Sequence, residues 1–391
     1  MNIAIFTDTY PPEINGVATS CANLRKTLMA HGHNVLLVTT NPFGNDILFE
    51  DGILRMPGRE LKRMYGYRLT KFYDKKAMEI VAYFKPDIIH IQSDMMVGTF
   101  GMIAASQLHV GSIYTFHTMI EDYAYYVTKG HFDRFARHSV RWFYRAKSNM
   151  FDSMIAPSDK IKNYLRSINV DSVIDVIPTG IEFERFDVAK EDKAKTAALK
   201  KKLKIAPDDY VILSLGRIAK EKSIDLVMRA YGKYRDLHPE TKAKLVIVGW
   251  GPAEDELKEL CAHLDLGKSV VFAGKCDPSE TQDYYRLGDC FVSASLTETQ
   301  GLTYMEAMAA RLVVLARYDD NLAHTISEGE SGFFFFSEDD LVEKFDTVIH
   351  LDAAKRKKIE AGALKAIEPY SMQRFYENVY EVYERVRKKN W

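Results

Sequence analysis

The fold of this chain is decided by an apolar run that ends in a glycine and a cation: Tyr210-Val211-Ile212-Leu213-Ser214-Leu215-Gly216-Arg217. A short apolar run closed by glycine predicts a buried strand followed by a tight turn. Residues 224–237 then carry apolar side chains at the 3.6-residue spacing of an amphipathic helix. A strand that leads into a helix is the repeating unit of a parallel α/β sheet.

The same alternation runs along the whole chain. Further short apolar runs predict strands at 3–6, 35–38, 88–91, 112–116, 154–156, 173–177, 244–248, 270–273, 290–292, 312–316 and 332–335. Helical spacing separates them, most clearly at 17–30 and 71–84. So many strands exceed what one doubly wound sheet comfortably holds. The sequence therefore predicts an α/β protein with two parallel sheets of about six strands each.

The boundary between the two predicted domains follows Gly180. Residues 182–204 are highly charged and indicate a solvated connection with some helix before the strand at 210. We therefore expect a first domain at 1–180 and a second at 181–369. The tail from 352 is helical in pattern, with an interruption near Pro369.

Composition excludes several classes of protein. The 391 residues carry 53 Lys or Arg against 54 Asp or Glu, a net charge of −1, which argues against a protein coated with nucleic acid. The four cysteines show no C-x-x-C spacing, so a zinc knuckle or a disulfide framework is not expected. No run of about 18 apolar residues and no basic leader is present, which favours a cytoplasmic protein.

Ligands of open α/β sheets bind outside the carboxyl ends of the strands. Arg217 and Lys222 follow the strand that ends at Leu215 and are cations suited to binding a diphosphate. Alternatively, they belong to a solvated run of surface charges, which would have the same sequence pattern. The next strand runs into Gly249-Trp250-Gly251, which allows a close turn under a ligand. Glu254 stands where a dinucleotide fingerprint would have its third glycine, so that reading is weak.

The sharpest group of candidate residues is Glu298-Thr299-Gln300-Gly301-Leu302-Thr303-Tyr304-Met305-Glu306. Gly301 would expose the free amides of Leu302 and Thr303 at a helix start, which favours an anion. Glu298 before the helix and Glu306 within it would flank that anion and bind hydroxyl-rich groups. Alternatively, Glu298 caps the helix and Glu306 faces water.

Two strand ends in the first half also carry candidate residues. Gly16 lies in a long Pro/Gly loop that enters a helix after the strand at 3–6, where backbone amides favour anions. His117 follows the strand at 112–116. Without further context, Gly16 reads equally well as part of a plain surface loop, and a lone histidine is more often structural than functional.

At these residues the chain resembles the retaining glycosyltransferases of family 4, which have the GT-B fold of two Rossmann-like domains facing across a cleft. Glu298 and Glu306 match the E-x7-E motif of the family, and Arg217 with Lys222 matches its diphosphate-binding pair. Gly16 and His117 match its glycine loop and active-site histidine. Within the family, the stretches around these residues look like those of the bacterial diacylglycerol glucosyltransferases. Arg311 departs from the pattern, because it replaces the usual glycine after the E-x7-E helix.

The resemblance implies a function, with each role carried over by motif. A hexose, for which UDP-glucose is the expected donor, would be transferred to diacylglycerol with retention and without a metal. Glu298 would bind the sugar, Glu306 the ribose, and Arg217 and Lys222 the diphosphate beside Gly301, while His117 would orient the sugar or the acceptor. The first domain would bind acceptor and membrane, the second the donor, and the helix at about 370–391 would pack back on the first.

Two basic segments lie within the first predicted domain. Residues 55–76 carry eight Lys or Arg against two acids, a balance of +6, and residues 129–147 carry six against one, a balance of +5. On a helix, the aromatic residues of the second segment would share one face and its arginines the opposite face. This pattern favours an anionic membrane surface, reached peripherally from the cytoplasm. An aromatic face packed in the core, with solvated arginines outside, would give the same pattern.

Three other functions remain compatible with the sequence. The same fold could act on another acceptor, such as a lipid-linked cell-wall or capsule intermediate. It could also be a nucleotide-sugar epimerase of GT-B architecture, or a regulator that binds a sugar nucleotide without turnover. The intact sets Glu298/Glu306 and Arg217/Lys222 argue against the last of these.

Overall fold

The computed structural model describes residues 1–13, 15–60, 68–117, 142, 144–295, 298 and 300–389. The chain divides into two compact units. Met1–Gly180 and Met372–Trp391 form the first, here called the N-terminal unit, and Ile181–Ser371 form the second, the C-terminal unit. The N-terminal unit is therefore discontinuous in sequence, since its last helix follows the whole of the C-terminal unit.

The N-terminal unit is built on an eight-stranded sheet with the order β10-β9-β8-β7-β1-β2-β4-β3. Its strands are β1 (Asn2–Phe6), β2 (Asn34–Thr40), β3 (Leu48–Glu50), β4 (Ile53–Met56), β7 (Ile88–Ile91), β8 (Gly111–Thr115), β9 (Ser153–Ala156) and β10 (Ile174–Val176). All neighbouring pairs are parallel except the edge pair β3–β4. A separate two-stranded hairpin pairs β5 (Gly58–Glu60) with β6 (Arg68–Thr70).

The C-terminal unit is built on a six-stranded parallel sheet with the order β13-β12-β11-β14-β15-β16. Its strands are β11 (Tyr210–Leu215), β12 (Ala243–Val248), β13 (Val270–Gly274), β14 (Cys290–Ser293), β15 (Val313–Arg317) and β16 (Phe333–Phe335). The chain starts in the middle at β11, moves outward through β12 and β13, and returns to β14 on the other side of β11. Such a reversal of direction is the topological switch point at which doubly wound folds bind ligands.

The sheet of the N-terminal unit has the same kind of reversal. The chain moves outward from β1 through β2 and β4, and then β7 pairs with the opposite side of β1. The loops after β1 and β7 therefore flank its switch point. The predicted doubly wound α/β class is confirmed, and this sheet has eight strands rather than about six because β3 and β4 extend its edge.

Helices cover the two faces of each sheet. In the N-terminal unit they are α1 (Gly16–Ala30), α2 (Lys75–Phe84), α3 (Met96–Leu108), α4 (Asp159–Ser167) and α13 (Met372–Lys389). In the C-terminal unit they are α5 (Phe183–Phe186), α6 (Lys193–Lys202), α7 (Ile224–Leu237), α8 (Glu254–His263), α9 (Thr281–Tyr285), α10 (Leu302–Ala309), α11 (Glu338–Ile349) and α12 (Ala353–Ile367). Helix α2 starts later than the predicted 71 because the Asp74 carboxylate caps it, accepting from the amides of Lys76 and Ala77.

Helix α13 closes one face of the N-terminal sheet. Its buried side chains are Phe375, Val379, Val382, Tyr383 and Val386. They share one hydrophobic cluster with the isoleucines that β1, β7, β8 and β9 turn to this face. Since side chains alternate between the two faces of a strand, every second residue of these strands points to the face that α13 covers together with α1.

Candidate active site

Two glycines, one after β11 and one after β12, allow these adjacent strand ends to approach closely beside the switch point of the C-terminal unit. Gly249, which follows β12, has φ +143°, and a Cβ on it would lie 1.8 Å from the carbonyl oxygen of Gly216, which follows β11. Any side chain at 249 would therefore push the two turns apart. The turn predicted at Gly249 exists, and its glycine is required by the neighbouring strand end.

The cations after β11 are held by carboxylates. The Nη2 atom of Arg217 donates to Oε1 of Glu221, four residues later. The Nζ atom of Lys222 donates to Oε1 of Glu298 at 2.6 Å, and lies 3.4 Å from Oγ of the buried Ser295. Of the predicted site residues, the structure thus brings Lys222 and Glu298 into direct contact, across the switch point between β11 and β14.

Gly301 forms the start of α10. It is the N-cap residue with φ +82°, and a Cβ on it would lie 2.6 Å from a side-chain carbon of Leu322. Because Gly301 has no side chain, the N-cap residue itself offers no oxygen to the amides of Leu302 and Thr303, the first residues of the helix. Glu298 is therefore not the N-cap residue, and the helix start retains the character of an anion site.

Glu306 lies in the second turn of α10 and is bound by a tyrosine. Its Oε2 atom accepts a hydrogen bond from the Tyr285 hydroxyl at 2.8 Å, and the same hydroxyl lies 3.2 Å from the carbonyl oxygen of Thr303. Burial raises the pKa of Glu306 above its usual value, and the hydrogen bond from Tyr285 opposes that rise. Tyr285 is fully buried at the end of α9, so its hydroxyl holds the Glu306 carboxylate in place from the protein interior.

The end of α10 keeps its usual geometry in spite of Arg311. The Arg311 amide donates to the carbonyl of Met308 and the Leu312 amide to that of Ala307, both at 3.0 Å. This pair of bonds is the Schellman motif, with Arg311 in the left-handed region at φ +62°. The departure from the family pattern at Arg311 therefore changes only the backbone strain of one exposed residue.

In the N-terminal unit, Gly16 is the first residue of α1. The preceding Asn15 caps the helix, and its Oδ1 atom accepts from the Ala18 amide at 2.8 Å. A Cβ on Gly16 would meet open space. Gly16 therefore stands at an exposed helix start beside the switch point, where a ligand could approach the backbone.

His117 lies two residues beyond β8 and is half-buried. Its Nε2 atom lies 2.5 Å from Oε1 of Gln92, the residue that follows the neighbouring strand β7. Burial lowers the pKa of His117 to about 4. The ring is therefore neutral near pH 7 and can form hydrogen bonds without a charge.

The predicted membrane segments are described only in part. Most of 129–147 and residues 61–67 lie outside the described residues. Arg55 is only 9% exposed and donates to the carbonyl of Pro11, and Lys147 is 5% exposed and pairs with Asp94. These two cations are therefore not available to a surface, whereas Lys71, Lys75, Lys76 and Arg145 are exposed.

The described part of the chain shows neither a membrane-spanning helix nor a cluster of metal ligands. No helix there is both long enough and apolar enough to cross a membrane. The same residues contain no group of three or more His, Cys, Asp or Glu side chains arranged to hold a metal ion.

Comparison with known proteins gives the family. The model described as Glycosyltransferase Family 4 matches residues 14–185, and the one described as Glycosyl transferases group 1 matches residues 195–365. An alpha-monoglucosyldiacylglycerol synthase of Streptococcus pneumoniae is 36% identical over 87% of this chain and 76% of its own length. Another, from Acholeplasma laidlawii, is 33% identical over 88% of this chain and 87% of its own length.

Solved structures show the same fold at lower identity. A glycosyltransferase from Rickettsia africae superposes with a TM-score of 0.75 at 20% identity, covering 98% of each chain. Anabaena HepE in complex with UDP-glucose superposes with a TM-score of 0.74 at 15% identity, covering 98% of this chain and 100% of HepE. With its two doubly wound units, the protein has the GT-B fold. The chain belongs to glycosyltransferase family 4 and is a glycosyltransferase.

Proposed function

We propose that this chain transfers glucose from UDP-glucose to diacylglycerol, with retention of the anomeric configuration, and so forms a monoglycosyl glycolipid. The observation that carries this proposal is the identity of 36% and 33%, over most of the chain, to two proteins from different organisms that are both named alpha-monoglucosyldiacylglycerol synthase. The geometry of the C-terminal unit suits the donor, because cations, a helix start and two glutamates surround one switch point.

The diphosphate of the donor would be bound at the start of α10 by the amides of Leu302 and Thr303. Arg217 and Lys222 would neutralise the charge that develops as the diphosphate leaves. Removing one such interaction from an enzyme typically lowers kcat by about 100- to 1000-fold. Binding of the diphosphate would compete with Glu298 for Lys222, so the carboxylate that now holds Lys222 would become available to the sugar hydroxyls.

Glu306 would bind the ribose hydroxyls, since its carboxylate is fixed by Tyr285 within the second turn of the same helix. A carboxylate can accept two such hydrogen bonds at once. Glu298 and Glu306 would then divide the hydroxyl-rich parts of the donor between them, with the diphosphate at Gly301 between the two.

Retention requires the acceptor hydroxyl to attack from the face that the diphosphate leaves. We propose a front-face displacement, in which the bond from the acceptor oxygen to the anomeric carbon forms as the bond to the diphosphate oxygen breaks. The proton of the acceptor hydroxyl passes to an oxygen of the leaving phosphate. Cationic side chains would supply the charge neutralisation that a metal ion supplies in other enzymes, and His117 would orient the sugar or the acceptor.

A lipid acceptor implies that the enzyme works on a membrane surface. We propose that it binds peripherally to the inner face of the cell membrane, through exposed cations of 55–76 and 129–147. The described parts of these segments also expose Phe72 and Trp142, which are 58% and 69% accessible. Aromatic side chains beside cations are typical of protein surfaces that lie in the headgroup region.

The test is a donor-by-acceptor activity screen with diacylglycerol and monoglucosyldiacylglycerol as acceptors and NMR assignment of the product linkage. An α-linked monoglucosyl lipid made from UDP-glucose is the expected product. Glu298→Ala, His117→Ala and Arg217→Ala should each lower the rate by at least about 100-fold, whereas Asn378→Ala, on an exposed helix face, should not. Full activity of all three variants would contradict the proposed site. Transfer to another acceptor instead of diacylglycerol would contradict the proposed acceptor.

A further inference from the structure

A chain of hydrogen bonds connects His117 to the last helix of the protein. From His117 Nε2 it passes to Gln92 Oε1 at 2.5 Å, and from Gln92 Nε2 to His90 Nε2 at 2.9 Å. From His90 Nδ1 it passes to the Tyr383 hydroxyl of α13 at 2.7 Å. Four side chains from β7, the loops that follow β7 and β8, and α13 thus form one continuous path.

The amide of Gln92 gives this path a direction. Its Oε1 atom can only accept, so His117 must carry its hydrogen on Nε2, and its Nε2 atom can only donate, so His90 must present a lone pair there. The Thr115 hydroxyl lies 2.7 Å from the same His90 nitrogen, and with that nitrogen unprotonated it is a second donor to the same lone pair. The remaining hydrogen of His90 then lies on Nδ1 and points at the oxygen of Tyr383.

The fold leaves these side chains little freedom. His90 is 1% exposed and Tyr383 is fully buried, and their rings meet edge to face with centroids 5.5 Å apart. Burial, with His117 nearby, lowers the pKa of His90 to about 3, so both rings are neutral near pH 7. The cavity beside His90 and Gln92 measures about 10 Å³, far too small for a sugar or a lipid. The buried members of the path therefore act through His117.

We propose that Gln92, His90 and Tyr383 are positioning residues that fix the Nε2–H tautomer of His117, so that its Nδ1 lone pair faces a substrate hydroxyl. This inference rests on the proposed role of His117 in the transfer reaction. It also gives α13 a part in the chemistry, since the helix that completes the N-terminal sheet holds the far end of the path.

The experiment is NMR of the imidazole nitrogens in ¹⁵N-histidine-labelled full-length protein without substrate, with His117→Asn and His90→Asn used to assign the signals. We expect a protonated Nε2 and an unprotonated Nδ1 for His117, and the opposite pattern for His90. A protonated Nδ1 on His117 would mean that the Gln92 amide points the other way, and it would overturn the proposal.

Two variants test the path itself. Tyr383→Phe should disturb the His90 signals and lower kcat by about tenfold with little change in KM. Gln92→Glu, nearly the same size, offers no donor to His90. It should place a proton on His90 Nε2, raise the pKa of His117, and move the acid limb of the kcat/KM profile to higher pH. Unchanged histidine signals in both variants would overturn the proposal.

The matched control is Tyr376→Phe. Tyr376 lies on the same helix and its hydroxyl is 3.0 Å from Nε2 of His33, a similar pair outside this path. It should leave kcat and the signals of His117 unchanged. If His117→Asn is fully active although the tautomers are as expected, the proposed role of His117 fails while the path stands. If His117→Asn is inactive but the histidine tautomers are the reverse of those expected, the role of His117 stands and the proposed path fails.

Discussion

Arg311 shows how one residue can carry backbone strain without disturbing a site. It completes the Schellman motif after α10 in the left-handed region, a conformation that costs an L-residue other than glycine roughly 1 kcal/mol. Its side chain is exposed, so little packing is lost if the side chain is removed.

We therefore expect Arg311→Gly to stabilise the C-terminal unit by about 0.5–1 kcal/mol, since relief of the strain exceeds the entropy that glycine adds to the unfolded chain. Urea unfolding of the two proteins measures the difference. Arg311→Ala, which keeps the strain but removes the side chain, is the control. Equal stability of Arg311→Gly and Arg311→Ala would show that the backbone is not the cause.

His90 predicts a stability that falls with acidification. Its pKa is about 3 in the folded protein against about 6.5 when unfolded, so below pH 6.5 the unfolded chain binds a proton that the folded chain excludes. Its full contribution is present above pH 6.5, and between pH 7 and pH 5 about 2 kcal/mol should be lost through this residue. His117 acts in the same direction.

The measurement is the free energy of unfolding at pH 7, 6 and 5 for the wild type and His90→Asn. The difference between the two slopes isolates His90, because all other titrating groups are common to both proteins. Parallel slopes would contradict the assignment, whatever the absolute loss of stability in the variant.

At the scale of elements, α13 is a structural part of the N-terminal unit. Phe375 packs beside Gly180, where a Cβ on the glycine would lie 2.7 Å from the Cβ of Phe375. Phe375→Ala should therefore cost about 3–5 kcal/mol, visible as faster hydrogen exchange in β1. Asn378→Ala, on the exposed face of the same helix, should leave exchange unchanged. Protection of β1 unaffected by Phe375→Ala would mean that α13 contributes little.

The sequence predicts the buried parallel strands well because apolar runs bounded by turns have few alternatives. The twelve predicted strands all exist among the described residues, with ends shifted by at most two positions. The hairpin β3–β4 was missed although its turn, Asp51-Gly52, is a strong signal: both residues have positive φ, as a type I′ turn requires. Strand β3 is only three residues long and is exposed throughout, although Leu48 and Phe49 are apolar.

Candidate site residues at strand ends could be found from the sequence, but their partners could not. Lys222 and Glu298 were predicted and are in contact. Tyr285, which holds Glu306, sits on another helix. Tyr383 is 293 residues away from His90 in the sequence, so no local sequence pattern could predict that the two side chains meet. Gln92 did carry a signal, since it is a polar residue immediately after a buried strand.

At the scale of the whole molecule, a net charge of −1 conceals local basic segments. Replacing the exposed Lys71, Lys75 and Lys76 by Glu should weaken binding to anionic vesicles by about 100-fold at low salt, since each cation near the surface contributes about 1 kcal/mol. Two of them start α2, where Glu is favourable for the helix dipole, so the variant should fold.

Co-sedimentation with neutral and anionic vesicles measures this effect. The matched control replaces Lys355, Lys357 and Lys358 by Glu, which changes the charge equally near the start of α12 in the C-terminal unit and should leave binding unchanged. Equal binding of the wild type to neutral and anionic vesicles would contradict the electrostatic interaction.

The return of the chain to the N-terminal unit has a consequence for biosynthesis. Ribosomes deliver the chain from its amino end, and domains that are continuous in sequence usually fold in that order. Here the face of the first sheet that α13 covers stays open until residues 372–389 have emerged, after the whole of the C-terminal unit. The part of the protein that is made first is therefore completed last, and for most of translation the part of its isoleucine-lined face that α1 does not cover is exposed to chaperones and to other nascent chains.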